Sequence, residues 1–193
     1  MRSFRSLHFA VCLAALAVAS CSLHSKGPGA APESASEARF ITETTKHAQA
    51  QFAVGKFKRA LELYSSALEK NYHPELLRGY ARLGEQIKSA ADAAYQSGNI
   101  AKAGIDYNIL LESGITLQNF AETLTFDGND LRKQIKACSK SLLESGLKKY
   151  REEKLDEAIA IWKKALSFDP YNENVKNAFE TASAQLQKLK QLR

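Results

Sequence analysis

From residue 38 to the end of the chain, apolar residues recur at steps of three and four almost without interruption. That is the period of an amphipathic helix, and it predicts helices over 38–54, 57–70, 75–97, 99–113, 116–125, 129–153, 155–168 and 171–191. Beyond residue 37 the only prolines are Pro74 and Pro170, so no proline interrupts a long helix between them. Composition points the same way: aromatics make up 9% of the 193 residues, and the four prolines and ten glycines are confined to a few places. A sandwich or barrel needs a turn about every ten residues, which this distribution does not supply. The expected fold class is all-α.

The predicted helices come in self-similar pairs. Phe52, Gly55, Phe57, Ala60, Tyr64 and Ala67 correspond to Tyr95, Gly98, Ile100, Ala103, Tyr107 and Leu110, and again to Tyr150, Glu153, Leu155, Ala158, Trp162 and Ala165. Ala60, Ala103 and Ala158 carry almost no side chain, which lets the second helix of a hairpin approach the first. The aromatic one turn later fills the adjacent gap. Gly55 and Gly98 supply the positive-φ residue that ends the first helix, whereas Glu153 must do so less comfortably.

This pattern resembles the tetratricopeptide repeat. The third copy is the fullest, with Leu142, Gly146, Tyr150, Leu155, Ala158, Trp162, Ala165 and Pro170 at motif positions. The resemblance implies about three helical hairpins and a C-terminal capping helix. The array is stretched, because Ala60 to Ala103 is 43 residues and Ala103 to Ala158 is 55, against about 34 in a regular array. The first excess is expected to lengthen the helix after Pro74, and the second to add the helix at 116–125.

Residues 1–20 form a separate pattern: a basic start at Arg2 and Arg5, an apolar run from Leu7 to Ala19, then small residues. The outline is that of a secretory signal. Its run spans roughly 20 Å as a helix, short of the ~30 Å hydrocarbon core of a bilayer. Val18-Ala19-Ser20-Cys21 resembles the bacterial lipobox, an aliphatic residue and two small ones before cysteine. The resemblance implies cleavage before Cys21, lipidation of its thiol and amine, and, with Ser22 next, sorting to the outer membrane facing the periplasm. An ordinary secretory signal is the alternative. Acyl chains contribute about 0.8 kcal/mol per buried methylene, so three would hold the protein at the membrane. Residues 21–37, rich in Ser, Ala, Gly and Pro, form the expected tether, and 38–193 the helical domain.

Charge adds little. The net +6 falls to +4 once Arg2 and Arg5 leave with the signal, and acids and bases are interspersed, so no nucleic-acid partner is expected. With Cys12 lost and Cys21 lipidated, Cys138 alone remains, within an apolar stripe. It is either a buried small residue or a reactive thiol. No His/Cys/acid cluster has metal-ligand spacing, and no phosphate loop, dinucleotide fingerprint or nucleophile motif occurs. No catalytic residue, metal or cofactor is expected. Glu152/Glu153 and Asp156/Glu157 are interleaved with Lys149, Arg151 and Lys154, the pattern of a solvated face.

Three features remain as contact candidates. First-helix positions of the hairpins, which bind peptides in the resembling family, are Gln49, Phe52, Lys88, Asp92, Tyr95, Leu147, Tyr150 and Arg151. The aromatics among them serve equally as core. The family's clamp for C-terminal carboxylates requires Asn where this chain has Gln49, Asp92 and Leu147, so that clamp is rejected. Arg132, Lys136 and Lys140, with Lys133 beside them, make a basic face that is either solvated or a contact for an acidic partner, anionic lipid or envelope polymer. Val175, Phe179, Ala182, Leu186 and Leu189 step by four and three, and Leu186 and Leu189 either pack or dock a partner. The combined expectation is a membrane-anchored envelope scaffold that binds protein partners through helical repeats. The alternative is a structural lipoprotein held to anionic polymer or lipid by the basic face.

Overall fold

The computed structural model describes residues 34–117 and 123–192. Seven α-helices account for most of them: α1 (Ala35–Ala53), α2 (Phe57–Lys70), α3 (Pro74–Gln96), α4 (Ile100–Glu112), α5 (Gly128–Arg151), α6 (Leu155–Leu166) and α7 (Glu173–Gln191). No strand occurs among the described residues. The fold is all-α, as the periodicity requires.

The ends of these helices follow from local chemistry. Ser34 Oγ accepts from the Glu37 amide at 3.2 Å, so α1 starts at Ala35, three residues inside the segment that composition assigns to the tether. Glu37 then accepts from Asn71 Nδ2 at 2.9 Å, tying this first turn to the end of α2. Pro74 takes the first turn of α3, where its missing N–H costs nothing, behind an N-cap in which His73 Nδ1 accepts from the Glu75 amide at 3.1 Å. Asp127 and Asp130 form a reciprocal capping box at the start of α5.

The three hairpin turns share one hydrogen-bond pattern. Gly55, Gly98 and Glu153 all adopt positive φ, at 74°, 81° and 59°. Each donates to the carbonyl three residues back (Phe52, Tyr95, Tyr150), and the next residue donates to the carbonyl five back (Gln51, Ala94, Lys149). This is the Schellman closure, built three times, the third time on a residue with a Cβ.

Consecutive helices pack in order, and α1 with α3, α2 with α4, α4 with α6 and α5 with α7 also touch. Ala60, Ala103 and Ala158 are fully buried, and Tyr64, Tyr107 and Trp162 are only 1% exposed. Glycines receive the large side chains. A Cβ at Gly79 would lie 2.7 Å from the Tyr64 ring and one at Gly104 2.5 Å from Phe168, while one at Gly146 would run into the Trp162 indole. Trp162 is fixed there by donating Nε1–H to the Leu143 carbonyl at 3.2 Å.

The extra length is spent as follows. α3 runs for 23 residues, absorbing the first excess as expected. The helix expected at 116–125 is not found on the described residues. Gly114, at φ 67°, ends α4; Ile115–Leu117 is a single 3-10 turn, and residues 124–127 are non-helical. Residues 118–122 lie outside the described part. At Thr125 the chain is tied to α3 instead: the Glu85 carboxylate accepts from both its amide and its hydroxyl, at 2.5 and 2.7 Å. Ile115, fully buried, reaches the open backbone at Gly84.

Candidate functional site

Gln49 and Phe52 stand on α1, one turn apart, facing α3. Gln49 Nε2 donates to Gln86 Oε1 at 3.5 Å, linking the two helices. Phe52 is half-buried and stacks on Phe57, with ring centroids 5.2 Å apart and an interplanar angle of 24°. On either side of the glutamine pair the helices leave open space. A hollow of about 300 Å³ is lined by Thr45, Gln49, Glu75, Arg78 and Arg82. A shallower one of about 600 Å³ is lined by Phe52, Arg82, Gln86, Ser89, Ala90 and Ala93. Arg82 belongs to both, which makes them one groove between α1 and α3.

Lys88 and Asp92 are one helical turn apart on α3, and they satisfy each other. Lys88 Nζ donates to both Asp92 oxygens at 2.8 Å. Asp92 Oδ1 also accepts from the Tyr107 hydroxyl at 2.6 Å, and Lys88 lies 5.7 Å from the Tyr107 ring centroid. Burial, and then the Asp92 charge, push the Tyr107 hydroxyl far above the usual phenol range. This is a closed polar network rather than a pair of open contact groups. Tyr95, next along the same face, is 38% exposed.

The third first-helix position differs again. Tyr150 lies 6.1 Å from Trp162, ring to ring, and its hydroxyl donates to Gln185 Oε1 of α7 at 2.7 Å. Leu147 is half-buried and Arg151 exposed. The three equivalent aromatics therefore do not line one groove: Phe52 and Tyr150 are packed and Tyr95 is open. Of the first-helix candidates, the structure brings Gln49 and Phe52 into the groove. The residues opposite them, Arg78, Arg82, Gln86, Ser89 and Ala93, recur at three- and four-residue steps along α3. That spacing is the signal that would have found them.

Arg132, Lys133, Lys136 and Lys140 are all exposed on α5. None forms an ion pair among the described residues; Arg132 donates only to Asn129 Oδ1, at 3.0 Å. At the α5–α6 turn, by contrast, one acid of each pair, Glu152 and Glu157, is matched by lysine. Lys149 reaches Glu157 at 2.9 Å and Glu152 at 3.6 Å, and Lys154 reaches Glu152 at 3.0 Å. The hydrogen bond from Lys154, and then the Lys154 and Lys149 charges, hold the Glu152 carboxyl below its ordinary range, and the hydrogen bond and charge of Lys149 do the same for Glu157. At the chain's end Leu186 is half-buried against the core. Leu189 is 45% exposed, over a hollow of about 330 Å³ shared with Glu153, Leu155, Asp156 and Glu157.

Cys138 is fully buried, and burial pushes its thiol up to about 11. Cys21 lies outside the described residues. Among the described residues no group of His, Cys, Asp and Glu is arranged to hold a metal ion, and no helix is long and apolar enough to cross a membrane. No protein-family model matches the chain, and no curated protein matches it.

Proposed function

We propose that the protein is a non-enzymatic, lipid-anchored adaptor of the bacterial envelope, probing partner proteins with tetratricopeptide-like hairpins. The α1–α3 groove carries this reading. Two neighbouring first helices are joined by the Gln49–Gln86 link, yet leave open space on both sides of it. A packed core closes such spaces, while a binding face keeps them. Lipidation at Cys21 would restrict the scaffold to the membrane and raise its effective concentration near membrane-bound partners.

The test is site-specific photo-crosslinking in cells, with the crosslinking residue at Ser89 in the groove or at Ser66, exposed on α2. A stoichiometric envelope protein captured from Ser89 and not from Ser66 is the expected result; equal capture from both overturns the groove assignment. Cys21→Ala is expected to release the protein from the membrane fraction, and unchanged retention overturns the anchor.

One observation favours a second reading. Four exposed cations on α5 lack ion-pair partners among the described residues. Such a face fits anionic envelope polymer or lipid. Binding of that kind weakens steeply as salt shortens the screening length to about 8 Å at physiological ionic strength. Capture of polymer that is lost with salt and with Lys136→Glu/Lys140→Glu would establish it.

A further inference from the structure

We propose that the α1–α3 groove selects an extended partner segment bearing an acidic side chain and, three or four residues away, a large apolar one. The proposal rests on the adaptor reading and specifies its ligand. Along α3 the residues Glu75, Arg78, Arg82, Ser89 and Ala93 form one exposed strip facing the gap to α1. Arg78 and Arg82 are one turn apart and both line the deeper hollow. Neither takes part in an ion pair or hydrogen bond among the described residues, although Glu75 lines the same hollow. Glu85, three residues beyond Arg82 and lining the shallower hollow with it, is already occupied by Thr125. Three other cations of the hairpins are matched within them: Lys88 with Asp92, Lys102 with Asp106, Arg59 with Glu62. The groove therefore presents two guanidinium groups one turn apart without ion-pair partners among the described residues, and their planar forks suit a carboxylate.

The other end of the groove has the opposite character. Ala90 and Ala93 leave room on α3, and Phe52, held flat by its stack on Phe57, closes the α1 side. An apolar side chain placed there would cover three apolar surfaces at once. Between the two ends lies the Gln49–Gln86 pair, whose unused amide donors and acceptors match the main chain of an extended segment. From Arg82 to Ala90 the helix rises about 12 Å, which an extended chain crosses in three to four residues at about 3.3 Å each. That spacing gives the separation of acidic and apolar side chains in the proposal.

The experiment titrates the full-length lipidated protein, in detergent micelles, with a fluorescent seven-residue peptide carrying two adjacent glutamates and a phenylalanine four positions on. A second peptide replaces both glutamates with lysine. Wild type is expected to prefer the glutamate peptide at least tenfold. Arg78→Glu/Arg82→Glu is expected to reverse that preference, and Ala93→Trp to weaken both peptides, with helical circular dichroism retained. Lys136→Glu/Lys140→Glu is expected to leave binding unchanged. Equal binding of both peptides, loss of binding only on the α5 substitutions, or no reversal in the double-arginine variant overturns the proposal. The in-cell crosslink separates the two levels. Capture at Ser89 that survives Arg78→Glu/Arg82→Glu overturns the ligand chemistry and leaves the adaptor standing. Charge-reversible peptide binding without any capture overturns the adaptor and leaves the chemistry.

Discussion

Glu153 is the one non-glycine residue among those described that holds a positive φ, 59°. It occupies the position that glycine fills in the other two hairpin turns. A side chain with a Cβ is crowded against the backbone in this region by roughly 1–2 kcal/mol. Its carboxylate appears in none of the ion pairs of the turn, which use Glu152 and Glu157 instead. Glu153→Gly is therefore expected to raise stability by about 1 kcal/mol, less than the full strain because glycine gains freedom in the unfolded chain. A urea melt checks it. Cys138 makes the complementary point. Its burial keeps the thiol protonated in the fold up to about 11, against an ordinary value near 9, so the unfolded chain loses the proton first as pH rises. This group's contribution is complete below about pH 9 and disappears as pH climbs through about 11. Cys138→Ala should lack that decline. In native buffer a thiol reagent should modify Cys138 only at the rate of unfolding. Both residues were legible in the sequence, one as an exception in a repeated turn, the other as a member of an apolar stripe. Lys88 and Asp92 were legible only as members of a face. Their closure by Tyr107, fifteen residues beyond Asp92, is a tertiary fact that no local spacing announces.

Among helices, contact is set by pairing a residue of no bulk with one of great bulk. Gly146 on α5 and Trp162 on α6 are the tightest case, since a Cβ at Gly146 would overlap an indole that is itself held by the Leu143 carbonyl. Gly146→Ala gains helix propensity locally but must displace the ring. Overpacking of this kind costs about 1–3 kcal/mol, more than the helix gains from the substitution, about 1 kcal/mol. A net loss of stability by calorimetry is the expected outcome. Gly55→Ala should also destabilise, but through its φ of 74° rather than through a neighbour, because nothing lies within 4 Å of the added carbon. The alternation of small and large residues made the hairpins readable in advance. The chain around Thr125 was not, because the apolar spacing there is helical while the amide and hydroxyl of Thr125 are taken by Glu85, on another helix.

For the molecule as a whole, the open question is whether the last helix ends the stack or extends it to a partner. Val175 and Ala182 are fully buried and Asn172 is hydrogen-bonded to Ser139 of α5 at 2.9 Å, so the first half of α7 is structural. Beyond Ala184 the attachments are the Tyr150–Gln185 hydrogen bond and the half-buried Leu186, while Leu189 and Leu192 face outward. Truncation after Ala184 removes one hydrogen bond and part of one leucine's burial, together about 2 kcal/mol. For a chain of this size that lowers Tm by roughly 4–8 °C. Truncation before α7 uncovers the seats of Val175 and Ala182 and is expected to abolish the cooperative transition of the α5–α6 hairpin. The two truncations divide the helix into a part the fold needs and a part it does not. If the shorter deletion lowers Tm by this amount and leaves the Ser89 crosslink intact, α7 is a cap and the groove alone binds. If the crosslink is lost while Tm barely moves, the outward leucines are the contact, and the stack continues into its partner.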